Sequence, residues 1–501
     1  MDKSVDTHSG GHKTIGWFLC WAVVFADIGT SIYYVPGILN GQVHNLAGLF
    51  VIMSSLVFVL LVLKYIEITA RYPEGGGVVT VATHAFGQWF GALGGMFITV
   101  DYFLTAAISS VSGFAYLNSI LNIGSAIVIL AIIALVLLGI LNVIGIQESA
   151  KITAVVAVAA FIVDIILVII VSTQIGAVGW GKVFSSLTGV SQQGVWTILT
   201  GFAGSFLAFS GLESISQLSP VMANPRRKIA TIAMGLVVVS ILFTSPLLTL
   251  FSTNVLDAKV PDGSELIIDR INNVDARIKE LSTTTSVEQQ NILQAKIDDG
   301  KAYSDRFISE LGARYGGTAI KLAIVLTASI LLIFASNTAI IGAYHVFIAL
   351  SKQNFLPQFL QTRNKKFDTY HWAVLLAVSA PIVIVIVTRG DVNLLGELYA
   401  FGLLGAFGLS SLGLDVIRWK ESKKITPGFL LGVITTFFVC LAWIVNLYNK
   451  QLATVFGGGI TLIGMIIAYL VHRHAKSVKN RSTEEVIAEA EVETAKTLAI
   501  S

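Results

Sequence analysis

The chain has 501 residues, of which 54% are hydrophobic and only 13% charged, with a net charge of +3 and a mean hydropathy of +0.78. Soluble domains carry about 25% charged residues, so this chain cannot cover itself against water, and a soluble enzyme, a disordered chain and a collagen-like chain are excluded. The small net charge argues against a nucleic-acid partner, and Cys20 and Cys440, both inside apolar runs, offer neither a disulfide framework nor a cysteine metal site.

A bilayer crossing takes about 20 mostly apolar residues. That window predicts about twelve spans, near residues 15–40, 46–69, 89–117, 125–145, 152–172, 194–218, 228–252, 318–349, 372–389, 393–417, 427–447 and 452–472. The first continues through Trp21 and Phe25 past an aspartate without a small-residue cleavage site, so it is read as a retained span and not a signal peptide. Lys and Arg in short loops mark the cytoplasmic side. They fall before span 1 (Lys3, Lys13) and after span 2 (Arg71), span 4 (Lys151), span 6 (Arg226, Arg227, Lys228), span 8 (Lys352, Arg363, Lys365, Lys366) and span 10 (Arg418, Lys420, Lys423, Lys424). The tail adds Arg473, Lys476, Lys479 and Arg481, while the opposite loops carry mainly Lys182, Arg389 and Lys450. Both termini are therefore expected inside a cell membrane, which requires an even number of spans. The expected organisation is a cytoplasmic N-terminus over 1–14, seven spans over 15–252, an extracellular segment over 253–316, five spans over 317–472 and a cytoplasmic tail over 473–501.

The segment 253–316 is polar and charged. Ile267, Ile271, Val274, Ile278 and Leu281 repeat at intervals of four and three, which predicts one face of a helix. Ser282-Thr283-Thr284-Thr285 is expected to end it, and Ser286 with Gln289 has the capping-box spacing for a second helix. A helical hairpin results, readable as a lid or partner-binding cap, or as an insertion tolerated on the surface. The tail, acidic from Glu484 to Glu493, reads as a solvated helix or a disordered stretch.

Ionisable groups at mid-bilayer cost about 2.5–3.5 kcal/mol on insertion scales and need a reason. Span 1 holds Ala26-Asp27-Ile28-Gly29-Thr30-Ser31 followed by Tyr33 and Tyr34. Gly, Thr and Ser form helix poorly, so a break is expected there that turns the backbone of Gly29, Thr30 and Ser31 toward a cavity. Span 6 matches it with Ser210-Gly211-Leu212-Glu213-Ser214-Ile215-Ser216. Interrupted segments at corresponding places in two halves point to an inverted-repeat transporter with its site between discontinuous helices. Spans 1 and 6 stand five apart, the offset of a repeat of five spans plus five.

Span 3 contributes Asp101 and Tyr102, with Thr105 and Ser109 on roughly the same side as Asp101. Span 5 adds Asp164, span 8 Ser329 and Ser336-Asn337-Thr338, and span 10 Glu397 and Tyr399. No Lys or Arg at mid-membrane is placed to pair with Asp27, Asp101 or Glu213. Unpaired buried carboxylates take up a proton or bind a cation, which suits proton-coupled cation transport. Structural roles stand beside this reading: an Asx turn for Asp27, a hydrogen bond to a neighbouring helix for Asp101, and support of the broken span for Glu213. Asp164 is read as structural or proton-linked.

Tyr72-Pro73-Glu74-Gly75-Gly76-Gly77, followed by Ala85-Phe86-Gly87, resembles the loop after the second span of the amino acid-polyamine-organocation (APC) superfamily. The stretch from Asn142 to Lys151 is similar to that superfamily's entry into span 5. The resemblance implies an all-α polytopic membrane protein of the LeuT-type 5+5 inverted-repeat fold, with helices 1 and 6 discontinuous. Asp27-Ile28-Gly29-Thr30-Ser31 is similar to the first-span motif of the Kup potassium-uptake family, and Asp27, Tyr34, Asp101 and Tyr102 resemble the set of the related KimA transporters. Carried over, Ser210 stands where those transporters have a Thr, and Tyr399 where they have a span-10 Tyr. Asp27 and Asp101 would then bind or attract potassium as substrate, and the Tyr, Ser and Thr oxygens would replace its water shell. Glu213, with Asp164 the next candidate, would carry the coupled proton, with a proton gradient and no cofactor driving uptake. The same resemblance implies a homodimer. A proton-coupled permease for an amino acid, amine or polyamine is the alternative, because a cationic organic substrate would also favour Asp27 and Asp101.

Overall fold

The computed structural model describes residues 14–145 and 150–500, with side chains described as far as Ser477. Lys3, Lys13 and the Ile146-Gln147-Glu148-Ser149 part of the span-5 motif lie outside the described residues, as do the side chains of Lys479, Arg481 and the acidic stretch of the tail. Among the described residues, eleven apolar helical stretches are long enough to cross a bilayer. The first, Trp17–Arg71, has 55 residues and divides into three α-helices, enough at about 1.5 Å per residue for two passes, so the described residues have the length for the roughly twelve spans expected.

The chain runs through α1 (Trp17–Ile28), α2 (Ser31–Val43), α3 (Ala47–Arg71), α4 (Gly77–Phe86), α5 (Gln88–Leu121), α6 (Ile127–Ile144), α7 (Ala150–Gln174) and α8 (Gly176–Thr188). It continues with α9 (Val195–Ser205), α10 (Ser214–Gln217), α11 (Arg226–Val255), α12 (Ile267–Asn272), α13 (Val274–Thr283) and α14 (Val287–Ser304). The last elements are α15 (Phe307–Lys352), α16 (His371–Thr388), α17 (Val392–Ser422), α18 (Pro427–Asn449) and α19 (Gln451–Ile500), which carries on as helix through the tail. Span 1 is thus α1 with α2, and span 6 is α9 with α10.

Burial sorts these helices. The most apolar stretch of α5 is 94% buried and that of α19 only 17%, so α5 is a central strut and α19 lies at the rim. Leu63, Val155, Val387, Phe437 and Val455 point outward from the bundle, as side chains solvated by lipid do. α5 and α17 pack together at the centre with α15 along α5, while α3 lies against α11 and α9. Phe58 of α3 stacks on Phe209 at 4.6 Å, which fixes span 6 to span 2. Ser329 and Ser336 of α15 donate to the Gly113 and Ala106 carbonyls of α5 at 2.9 and 3.2 Å, so these hydroxyls tie helices together.

The segment 253–316 does form a helical hairpin, with α13 against α14, but its details differ from expectation. The apolar repeat splits at Asn273 into α12 and α13, and α13 runs on to Thr283. Ser286 occupies the N-cap of α14 yet its side chain makes no cap hydrogen bond, so the capping box does not form. Instead Gln290 Nε2 donates to the Thr284 carbonyl at 2.6 Å and fastens the turn. The segment ends in the first turns of α15, where Gly317 at φ +66 breaks the helix before the span begins. It is docked tightly: Asn40 Nδ2 donates to Asn272 Oδ1 at 2.7 Å, and Lys301 pairs with Asp391 at the N-cap of α17 at 2.7 Å. A Cβ at Gly37 of α2 would lie 2.2 Å from the Ser304 carbonyl oxygen.

Candidate functional site

The two breaks predicted in spans 1 and 6 meet, but they are built differently. Span 6 unwinds: Ser210 is extended at φ −59 and ψ 143, and Gly211 takes φ +93, a left-handed conformation that favours glycine. Beyond it the chain is re-tied by short bonds: Ser214 N and Oγ both donate to the Gly211 carbonyl, and Ser216 N and Oγ donate to the Glu213 carbonyl at 2.9 and 2.7 Å. Span 1 only tightens. Gly29 stays near helical at φ −64 and ψ −22, Thr30 Oγ1 donates to the Asp27 carbonyl at 2.7 Å, and Ser31 Oγ sits 2.6 Å from the Ile28 carbonyl oxygen. The expectation that Gly29, Thr30 and Ser31 would turn freed backbone toward a cavity is therefore corrected. The Thr30 and Ser31 hydroxyls meet the Asp27 and Ile28 carbonyls, the Ile32 and Tyr33 amides donate to the Gly29 and Thr30 carbonyls at 3.2 and 3.1 Å, and Ser31 Oγ also lies 2.7 Å from the Ala208 carbonyl oxygen of span 6.

Around this junction the predicted side chains converge. Asp27, at the end of α1, is 8% exposed and lies against Gly211 and Ser214. Tyr34, on α2, is buried beside Thr30, Asp27 and Asp101. Tyr399 of α17 shares hydrogen bonds with Thr105 of α5 and Ser210 of span 6, so one phenol joins three helices. Thr105 Oγ1 also donates to the Asp101 carbonyl at 2.9 Å. Asp101 is fully buried and faces Asp27, Glu213 and Tyr399, yet neither of its carboxyl oxygens has a hydrogen bond of ordinary geometry. The same holds for Glu213 Oε2 and the Tyr102 hydroxyl. Buried polar atoms are nearly always partnered, so these four atoms form an unpartnered polar surface suited to a ligand that brings positive charge. Among the described residues, no three His, Cys, Asp or Glu side chains converge closely enough for a resident metal centre.

A cavity of about 280 Å³ reaches Glu213 and Tyr102 from the face of the Glu74–Gly77 turn, and is also lined by Ser216 and His345. Two further cavities, of about 400 and 530 Å³, lie under the hairpin on the other face and are lined by Asp391 and Lys301. Glu397, a candidate by sequence, lines the smaller of these and stands apart from the carboxyl cluster.

Asp164 is not in the cluster. It is fully buried in α7, where the Tyr33 hydroxyl donates to it at 3.2 Å, and the Tyr116 hydroxyl in turn donates to the Tyr33 carbonyl at 2.7 Å. Sequence reading missed Tyr65, which lies beside Glu213, and missed a buried ion pair between Lys64 and Asp415 at 2.7 Å. Both members of that pair sit inside predicted spans, and an intramembrane Lys was the signal that could have found it.

A family model described as amino acid permease matches residues 15–276 and 282–481. The chain is also 25% identical over 406 residues to the potassium transporter KimA of Bacillus subtilis (strain 168), an alignment that covers 79% of this chain and 59% of that relative. It thus spans less than two thirds of the relative's length.

Proposed function

The chain belongs to the amino acid permease family and is a multi-pass membrane transporter, and on that premise we propose that it takes up potassium with protons by alternating access. The observation that carries this reading is the cluster of Asp27, Asp101 and Glu213, which face one another in a buried site with hydroxyls around them and, among the described residues, no Lys or Arg as a partner. Ionised carboxylates that share a site repel each other, and a proton or a cation relieves the repulsion. Asp27 and Asp101 supply the attraction for potassium, and Tyr34, Tyr102, Tyr399 and Ser210 supply hard oxygens in place of its water shell. Glu213, which opens to the cavity at the Glu74–Gly77 turn, carries the proton.

The same reading places the protein in the cell membrane with both termini in the cytoplasm, and pairs spans 1–5 with 6–10 as inverted repeats of the LeuT type. One bundle rocks against the other around the two breaks, and Glu213, protonated on the outer side, gives up its proton on the inner side as the cation is released.

A second reading is a proton-coupled permease for an amino acid, amine or polyamine. The cavity at Glu213, about 280 Å³, is larger than a bare ion needs and close to the lower range of small-molecule pockets. Proteoliposomes holding an internal pH dye separate the two. Acidification on adding potassium, absent with sodium and lost in Asp27→Asn, is the expected result; acidification only with amino acids or polyamines would replace potassium by an organic cation.

A further inference from the structure

Spans 2 and 10 face each other across an unbroken series of charges. On α3 these are Lys64, Glu67 and Arg71; on α17 they are Asp415, Arg418 and Glu421, so each member meets its opposite at the same level. The innermost pair is dry, with Lys64 and Asp415 side chains 3% and 6% exposed, while the outermost, Arg71 with Glu421, is 31% and 53% exposed. Lys64 Nζ has four oxygens around it: the Ser411 carbonyl at 3.0 Å, Ser411 Oγ at 2.7 Å, Asp415 Oδ2 at 2.7 Å and Thr436 Oγ1 at 2.9 Å. Thr436 Oγ1 also donates to Asp415 Oδ2 at 2.6 Å, and Arg418 stands 3.6 Å from Asp415 Oδ1. Gly432 of α18 makes room for the pair, since a Cβ there would fall 2.5 Å from Asp415 Oδ1.

α3 holds span 6 as well. Phe58 stacks on Phe209 just before the unwound stretch, and Ser219 Oγ, just past it, donates to the Thr69 carbonyl at 2.9 Å. Helix α3 is therefore attached to span 6, which carries Ser210, and by the charge series to α17, which carries Tyr399. A buried pair that loses one member leaves an uncompensated charge, so the inner pair stays closed while the wet outer pair is free to exchange with solvent.

We propose that Lys64 and Asp415 are positioning residues that fasten α17 to α3, so that the two helices move as one body and Tyr399 keeps its place across from Ser210 throughout the transport cycle. Nothing in this depends on which solute is carried.

The test places spin labels at Leu63→Cys on α3 and Leu412→Cys on α17, both exposed on the outer surface of the bundle, with Cys20 and Cys440 replaced by Ala and the protein in lipid. The label distance is read at acidic and alkaline pH, with and without potassium chloride. One narrow distance under every condition is expected, broadened in Lys64→Met and in Asp415→Asn and narrow again in the Lys64→Met/Asp415→Leu double variant, because an apolar pair of similar volume can replace a buried ion pair. Two populations that exchange with pH or potassium in the unaltered chain, or single variants that leave the distance narrow, would overturn the proposal. Potassium uptake per folded molecule adds a second arm: turnover falls about tenfold in the single variants with KM little changed and returns in the double variant. A double variant that folds with a narrow distance but does not transport would show that the pair acts through its charge, and the fastening role would fall. If the single variants do not fold, the double variant decides alone. An unaltered chain that takes up no potassium counts against the potassium reading only, and the distances still decide the fastening.

Discussion

Gly211 stands so close to Asp27 that a Cβ on it would lie 2.7 Å from the Asp27 carboxyl carbon. Span 6 thus presents bare backbone to the one carboxylate of span 1. Gly211→Ala meets two obstacles, the collision and a left-handed φ of +93 that costs about 1–2 kcal/mol for a residue with a side chain. Transport is expected to fall by at least about tenfold, with a modest drop in melting temperature. Uptake at the unaltered rate would mean that the backbone at Gly211 plays no part in the site.

Asp27→Asn removes a charge and almost no volume. The predicted outcome is loss of potassium uptake with expression and melting temperature near those of the unaltered chain, measured on protein in detergent and in vesicles side by side. Normal flux in this variant would remove Asp27 from the site.

Tyr399→Phe deletes the hydroxyl that bridges Thr105 and Ser210. Thr105 keeps a partner in the Asp101 carbonyl, whereas Ser210 Oγ is left with none of its described bonds. A buried group stranded in this way costs about 1–3 kcal/mol, so the potassium KM is expected to rise by about tenfold. Ser210→Ala should give a similar rise and the double variant no further loss, since the two share one contact. Additive losses in the double variant would show that the phenol and the serine act separately.

Glu213→Gln should keep potassium binding and lose accumulation driven by a pH gradient. Asp164→Asn should leave that coupling in place, because Asp164 belongs to the Tyr33 and Tyr116 network and not to the carboxyl cluster. Vesicle uptake with and without an imposed pH gradient distinguishes the two. The opposite pattern would move proton coupling to Asp164.

Asp305, partly buried under the hairpin, has its carboxyl pushed up to about 8 by desolvation and by Asp391, against the opposing Lys301 and Arg306. A detached hairpin would give it an ordinary value near 3.9. A raised carboxyl binds its proton more tightly when docked, so docking is strongest below about pH 4 and weakens as pH rises toward 8. Hydrogen exchange over α12 to α14 should accordingly speed up between those limits beyond its intrinsic pH dependence. Asp305→Asn should remove that dependence, and an unchanged profile would refute the assignment.

Sequence alone reached about twelve crossings because each is a mostly apolar run of sufficient length, and it reached Asp27, Asp101 and Glu213 because a carboxylate in such a run is conspicuous. It could not say which break unwinds. Asp27-Ile28-Gly29-Thr30-Ser31 and Ser210-Gly211-Leu212-Glu213-Ser214 have similar helix-breaking content, and the difference lies in the backbone each glycine adopts, near helical at Gly29 and left-handed at Gly211. For the Lys64–Asp415 pair the signal was a Lys inside an apolar run, but its partner could not be read, since it lies 351 positions away. Asn273 and Ser286 show a third limit, where a periodic pattern and a capping spacing were both present, yet the helix divides beside Asn272, which Asn40 of α2 holds, and Gln290 rather than Ser286 fastens the turn.

The cavity that touches Glu213 opens at the Glu74–Gly77 turn, whereas those under the hairpin are lined by none of the clustered carboxylates. Pharmacology should follow this asymmetry. A small cationic blocker offered from the side of that turn would compete directly with the solute for the carboxylates, while one offered from the hairpin side would meet Asp391 and Lys301 first and inhibit without competition. Selective blockers for this chain are thus to be sought against the hairpin contacts, and broad ones against the cavity at Glu213.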